Sequence, residues 1–104
     1  MYIHIKGQGY VVVSTSSGYK VIIYPRRTLS GTFLPATGHG SFKDALLDII
    51  RRHIGEVIEV RDAVYPYDME VEVRQGERIR KFLIRGIVTT YNDFIYYLDE
   101  VQNP

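Results

Sequence analysis

One segment of the chain, SFKDALLDIIRRHIG at residues 41–55, has the pattern of an amphipathic helix, whereas the segments on both sides have the pattern of strands. Ser41 is a favoured N-cap residue, and Asp44 three positions later provides an acidic variant of the capping box. Gly55 is a typical helix stop. The apolar residues between these ends recur at helical spacing, on the face opposite the charged ones. We therefore predict one helix over residues 41–54, packed across a sheet.

Period-two alternation and β-branched residues predict strands before and after this helix. Before it, YIHIK, YVVVST and YKVIIY are separated by glycine-containing turns, which is typical of a small meander. After it, strands are predicted at residues 57–61, 69–74, 78–90 and 94–99, with turns at Gln75-Gly76 and at YND. The predicted fold is mainly β (α+β): a small bent sheet or barrel of about six or seven strands with one amphipathic helix.

The segment between the meander and the helix, residues 25–40, reads PRRTLSGTFLPATGHG and contains two prolines and three glycines. That composition predicts a connection, with one short strand at residues 32–34. Connections of this length are uncommon in compact domains and are often functional or mobile.

Length and composition exclude several classes of protein. A chain of 104 residues, 45% hydrophobic and 24% charged, predicts a single folded domain over residues 1–104. It has no apolar run of the roughly 20 residues needed to cross a bilayer and no signal-peptide pattern, so we expect no membrane partner and a cytoplasmic location. Cysteine is absent and the three histidines are scattered, so we expect no disulfide and no metal site. GQG lacks the third glycine of a dinucleotide fingerprint, and we expect no cofactor.

Charge is distributed unevenly along the chain. Residues 1–43 contain five basic and no acidic residues, while residues 44–104 contain eight basic and twelve acidic ones. This asymmetry indicates either a cationic face for an anionic partner or attraction between the two parts, within the fold or between subunits.

Two clusters of basic residues are candidates for binding nucleic acid through phosphates, with tyrosines stacking on bases. In the second cluster Glu70 and Glu72 are predicted on a neighbouring strand, which favours a structural hairpin over a binding site. The N-terminal cluster has no acid nearby in sequence and is the better candidate. It comprises Lys6, Lys20, Arg26 and Arg27, with Tyr2, Tyr10, Tyr19 and Tyr24. The second cluster comprises Arg78, Arg80, Lys81 and Arg85, beside Tyr91, Tyr96 and Tyr97.

The fragment TGHGS, residues 37–41, is the most enzyme-like part of the chain. Gly38 and Gly40 free the backbone around His39, and the amides that follow enter the helix N-terminus at Ser41, where an anion can bind. Against an enzyme, no lysine follows as in a phosphate-binding loop, and neither a paired carboxylate nor an activated serine can be assigned. A capped loop leading into a helix accounts for the same residues, and we predict no catalytic residue.

The order of elements resembles that of two families of small β proteins. RRHIGEVIEVRD followed by IRGIVTTYNDFIYYLDE resembles the first half of an Sm-like domain, and RIRKFLIRGIVTTYNDFIYYLDE resembles the core of the bacterial Veg family. Both resemblances fall within residues 41–100, and residues 1–40 match neither. The resemblance implies a small barrel, RNA binding as a ring in the Sm-like case, and a small regulatory protein in the Veg-like case.

The sequence thus supports two hypotheses. The first is a non-enzymatic nucleic-acid-binding or regulatory protein of small-barrel type. The alternative is a protein–protein interaction or assembly module, either a homo-oligomer or a component of a larger complex. The deciding question is whether the N-terminal cations share a face with Arg78, Arg80 and Arg85.

Overall fold

The computed structural model describes residues 3–102, which form nine strands and one helix. Tyr2, one of the tyrosines considered above, lies outside the described residues. The helix, α1, spans Phe42–His53. The strands in chain order are β1 (His4–Gly7), β2 (Tyr10–Thr15), β3 (Gly18–Ile23), β4 (Pro25–Arg27), β5 (Phe33–Pro35), β6 (Glu56–Asp62), β7 (Met69–Gln75), β8 (Arg78–Val88) and β9 (Phe94–Glu100).

Seven of these strands form one antiparallel sheet in the order β1-β2-β3-β9-β8-β7-β6. The last strand of the chain, β9, pairs with both β3 and β8 and so joins the N-terminal meander to the C-terminal one. The sheet does not close, because β1 and β6 are its two edges. The bent-sheet form of the prediction is therefore confirmed, and the barrel form is not realised.

The predicted helix is confirmed, together with its cap. The Ser41 hydroxyl accepts a hydrogen bond from the Asp44 backbone N–H at 3.1 Å, which satisfies one of the free amides of the first turn. Ile54 caps the other end, and its N–H donates to the Ile50 carbonyl at 2.8 Å. Gly55 is required there because a Cβ would overlap the carbonyl oxygen of Arg74 on β7.

The core lies between α1 and one face of the sheet, which we call the helix-side face. Alternate residues of the strands point into it, as the period of two requires. Phe82, Ile84 and Leu98 are fully buried on the central strands. They pack in one cluster with Ala45, Leu46, Ile49 and Ile50 of the helix and with Val12, Val21, Val71 and Val73 of the neighbouring strands.

The segment 25–40 contains more regular structure than predicted. The short strand expected at residues 32–34 is present as β5, and it pairs with β4 to form a small two-stranded sheet that we call the β4–β5 hairpin. Judged from the sequence alone, Pro25 and Pro35 argue against strand pairing in this segment, because proline lacks a backbone N–H. They lie opposite each other at the end of the ladder, where a missing N–H is tolerated.

No helix within residues 3–102 is long and apolar enough to cross a membrane.

Candidate nucleic-acid interface

The face of the sheet turned away from α1, which we call the open face, carries a row of polar and aromatic side chains across five strands. The strand ladder pairs His4 with Val13, Val13 with Lys20, Lys20 with Tyr97 and Tyr97 with Arg85. Since directly paired residues point to the same face and strands lie about 4.8 Å apart, this row is roughly 19 Å long. It brings together residues as far apart in the chain as His4 and Tyr97, which are 93 positions apart.

A second, more apolar row runs beside the first. Lys6 pairs with Val11, and the row continues through Ile22 and Ile95 to Ile87. An open groove of about 630 Å³ lies where the two rows cross β1, β2 and β3. Lys6, Lys20, Tyr24 and Tyr97 lie around it, and Val11, Val13 and Ile22 lie along its floor.

The cations of this region are not neutralised. Lys6, Lys20 and Arg85 form no ion pair with any residue of the described range 3–102. The Arg85 guanidinium lies 5.2 Å from the centre of the Tyr97 ring, a cation–π contact that leaves its N–H donors available. We call His4, Lys20, Tyr97 and Arg85 of the first row, together with Lys6 at the start of the second row, the cationic row.

The rest of the open face, toward β6, is charge-balanced or acidic. Arg61 is surrounded by Glu59 at 2.7 Å, Glu70 at 3.1 Å and Glu72 at 3.6 Å. The Lys81 ammonium lies 4.0 Å from the Glu70 carboxylate. The expectation that acids on a neighbouring strand offset part of the second cluster therefore holds for Lys81. The uneven distribution of charge along the chain is also a separation in space, because the N-terminal strands β1 to β3, which carry no acid, and the acidic strand β6 lie at opposite edges of the sheet.

Arg80 belongs to the helix-side face and serves the structure. Its guanidinium donates to both oxygens of Glu100, at 2.9 Å from Nε and 2.7 Å from Nη2. It also donates to the Tyr19 hydroxyl at 3.2 Å and lies 4.9 Å from the centre of the Phe82 ring. Its side chain is only 13% exposed. The bidentate pair raises the pKa of Arg80 and, through the hydrogen bonds from Arg80, lowers the pKa of the Glu100 carboxyl.

The remaining basic candidates lie apart from the cationic row. Arg78 is exposed at the start of β8, with the alternation of Arg80 rather than that of Arg85. Arg26 and Arg27 are exposed on the β4–β5 hairpin, which is separate from the large sheet. Of the predicted set, the structure therefore brings together Lys6, Lys20, Tyr24 and Arg85.

In the candidate anion site, residues 38–41, the side chains of His39 and Ser41 are engaged in hydrogen bonds within the protein. His39 Nδ1 lies 2.8 Å from the Thr37 hydroxyl, and His39 Nε2 lies 3.1 Å from the Asp48 carboxylate, which also accepts from Arg52 Nε at 3.0 Å. Ser41 is committed to the helix cap. Gly38 adopts φ 94°, which only glycine enters at little cost, and Gly40 follows it without a close neighbour. The geometry is that of a loop fastened to the first turns of α1.

The sequence did not reveal two residues that decide the roles of the candidates: Tyr97, which lies between Lys20 and Arg85, and Asp48, which contacts His39. Tyr97 was considered only with the second cluster, and its position between Lys20 and Arg85 depends on the pairing of β3 with β9, which are far apart in the chain. Asp48 forms the i,i+4 ion pair with Arg52 that helical spacing favours, but its contact with His39 depends on the path of the preceding loop.

The chain matches no protein-family model, no curated protein and no solved structure with which it was compared, so the resemblance to Sm-like and Veg-like proteins stays a prediction.

Proposed function

We propose that this protein binds nucleic acid through the cationic row of its open face. The observation that supports this most directly is the ladder Lys20–Tyr97–Arg85, in which two cations without an ion pair among residues 3–102 flank an aromatic ring on a face that α1 leaves uncovered. Phosphate contacts from lysine and arginine supply most of the affinity of nucleic-acid binding, and stacking of bases on tyrosine adds to it.

The shape of the site favours a flexible, single-stranded nucleic acid. A row of roughly 19 Å across a sheet offers a surface for splayed bases, whereas it offers no helix or ribbon that would enter the major groove of a duplex. The apolar floor of the groove, formed by Val11, Val13 and Ile22, suits the faces of unstacked bases.

Fluorescence anisotropy with labelled single strands of about 12 nucleotides, DNA and RNA, tests the proposal at low salt, where phosphate contacts are strongest. The double variant Lys20→Glu/Arg85→Glu should weaken binding by about tenfold or more, because it removes two phosphate contacts and adds repulsion. Tyr97→Ala should weaken binding by roughly five- to 150-fold if one base stacks on this ring.

Lys43→Glu is the matched control, because Lys43 is an exposed lysine on α1, away from the open face. The proposal fails if the unmodified protein binds no single strand at low salt. It also fails if Lys43→Glu weakens binding as much as a single Lys20→Glu substitution does, since the affinity then follows net charge and not this face.

A further inference from the structure

The β4–β5 hairpin presents an apolar tip on an ordered turn. Leu29 is fully exposed at the end of the hairpin. The turn that carries it is held by hydrogen bonds from the Thr28 N–H to the Thr32 carbonyl at 2.8 Å and from the Gly31 N–H to the Thr28 carbonyl at 3.0 Å. Because the backbone is fixed, ordering it on a partner would cost little further conformational entropy.

The hairpin also carries unpaired positive charge beside apolar surface. Arg27 lies directly opposite Phe33 in the ladder, so their side chains point to the same side. Phe33 is 36% exposed. Neither Arg26 nor Arg27 forms an ion pair within the part of the chain that the structure describes. The exposed Leu29, the partly exposed Phe33 and the free Arg27 form a compact surface of the composition found at protein interfaces, while Arg26 pairs with Leu34 and points to the other side of the hairpin.

A recess of complementary character lies toward the other edge of the sheet, in the connection from β6 to β7. Its volume is about 430 Å³. Val64 is 85% exposed and Tyr65 is 92% exposed. Together these two adjacent side chains present a patch of apolar surface to solvent. The walls are formed by Val64, Tyr65, Tyr67 and Leu83, with Asp62 and Glu70 at the same site.

The charge at the recess is opposite to that of the hairpin. Asp62 forms no ion pair among residues 3–102, and Glu70 already lies against Arg61 and Lys81. Together with Glu59 and Glu72, these acids outnumber the two neighbouring bases by four to two. A cationic segment with an apolar tip would therefore bury Leu29 against Val64 and Tyr65 while an arginine pairs with Asp62.

We infer that the β4–β5 hairpin of one copy of this chain docks into the β6–β7 recess of a second copy. Within one copy β9 and β8 lie between β3, from which the hairpin continues, and β7, which follows the recess. The contact joins two different surfaces, so it is heterologous and produces a ring if the rotation between copies closes, or an open chain if it does not. It uses neither Lys20 nor Arg85 and does not depend on nucleic-acid binding.

Sedimentation velocity over a range of protein concentrations tests the inference. The unmodified chain should associate as concentration rises, whereas Leu29→Asp and Val64→Asp should each stay monomeric, because each loses one side of the contact. Both positions are exposed, so the variants should keep the far-ultraviolet circular dichroism of the parent. Ile79→Asp is the matched control, since Ile79 is a half-exposed apolar residue outside both surfaces and its replacement should leave association unchanged.

Mixing the two blocked variants gives the sharpest test. Leu29→Asp keeps an intact recess and Val64→Asp keeps an intact hairpin, so an equimolar mixture should form a dimer and nothing larger. In the same way Arg27→Glu should weaken association and Asp62→Arg should restore it in the double variant. A strictly monomeric parent up to about millimolar concentration, or a mixture that stays monomeric while the parent associates, would overturn the inference.

Discussion

Arg80 and Arg85 lie on the same strand, β8, five residues apart, and they belong to opposite faces of the sheet. Arg80 is 13% exposed and is held by Glu100, Tyr19 and Phe82. Arg85 is exposed, and its guanidinium lies against the ring of Tyr97. It has no acid partner among the described residues. Because the residue type is the same, the difference comes from the face and from the cross-strand neighbours. Arg80, on the helix-side face, therefore stabilises the fold, whereas Arg85, on the open face beside Tyr97, leaves its charge free for a ligand.

The largest difference between the two faces should appear in the free energy of unfolding that is lost when an apolar side chain is truncated. Phe82→Ala should lower the free energy of unfolding by about 3–5 kcal/mol, because Phe82 is fully buried and the truncation leaves a cavity. Leu83→Ala, its neighbour on the open face, should cost about 1 kcal/mol because that side chain is only half-buried. Urea denaturation measures both. Equal losses at a protein concentration where the chain is monomeric would contradict the difference in packing between the two faces.

The second-largest difference should be in the loss of stability when each of the two arginines is replaced. Arg80→Gln should cost roughly 1.5–3 kcal/mol, because it leaves the Glu100 carboxylate without its charged donor in a place where little water reaches it. Arg85→Gln should change stability by no more than about 0.5 kcal/mol, as expected for an exposed side chain. A comparable loss for both variants in thermal or urea unfolding would contradict the assignment of Arg80 to the structure and of Arg85 to the surface.

The pH dependence of stability sharpens the comparison further. The folded-state pKa of Glu100 is lowered by its hydrogen bonds from Arg80. The stability contributed by this pair is therefore fully present above the ordinary carboxyl pKa of about 4.3 and is lost as pH falls through the lowered folded-state value. The stability gap between the parent and Arg80→Gln should be widest at neutral pH and should narrow in acid. A gap that stays constant from pH 7 to about pH 3 would exclude this pair as its source.

The smallest effect concerns salt. If Lys6, Lys20 and Arg85 each contact one phosphate of a single strand, the logarithm of affinity should fall with the logarithm of salt concentration with a slope of about −2. Arg85→Gln should reduce that slope by about 0.7, whereas Arg80→Gln, measured where the variant is still folded, should leave it unchanged. Anisotropy titrations at several salt concentrations give these slopes. An equal change for the two variants would remove the distinction between the faces.

Part of this arrangement was predictable from local patterns. The amphipathic spacing between Ser41 and Gly55 and the cap at Ser41 predicted α1 to within a residue at each end. The turn at Gln75-Gly76 and the turn at YND were also correct, with Gly76 at φ 63° and Asn92 at φ 63°. These features depend on residues close together in the chain, where steric and hydrogen-bonding preferences act directly.

The β4–β5 hairpin and the cationic row were not predictable in the same way. Pro25 and Pro35 gave a turn-like composition that concealed a short ladder. The row depends on β9 pairing with β3, and strand alternation shows which residues share a face within one strand without showing which strand lies next to it.

The sequence by itself therefore determined the types of all the elements except β4, the helix and its ends, and which side chains of each strand point the same way. Those features follow from backbone sterics and from periods of 3.6 and 2. Only the tertiary structure decided that β9 lies between β3 and β8, that the sheet stays open, and that Arg85 joins Lys20 and Tyr97 while Arg80 is bound by Glu100. Those outcomes depend on long-range strand pairing, in which contacts between distant segments compete for the same edges and no local preference selects among them.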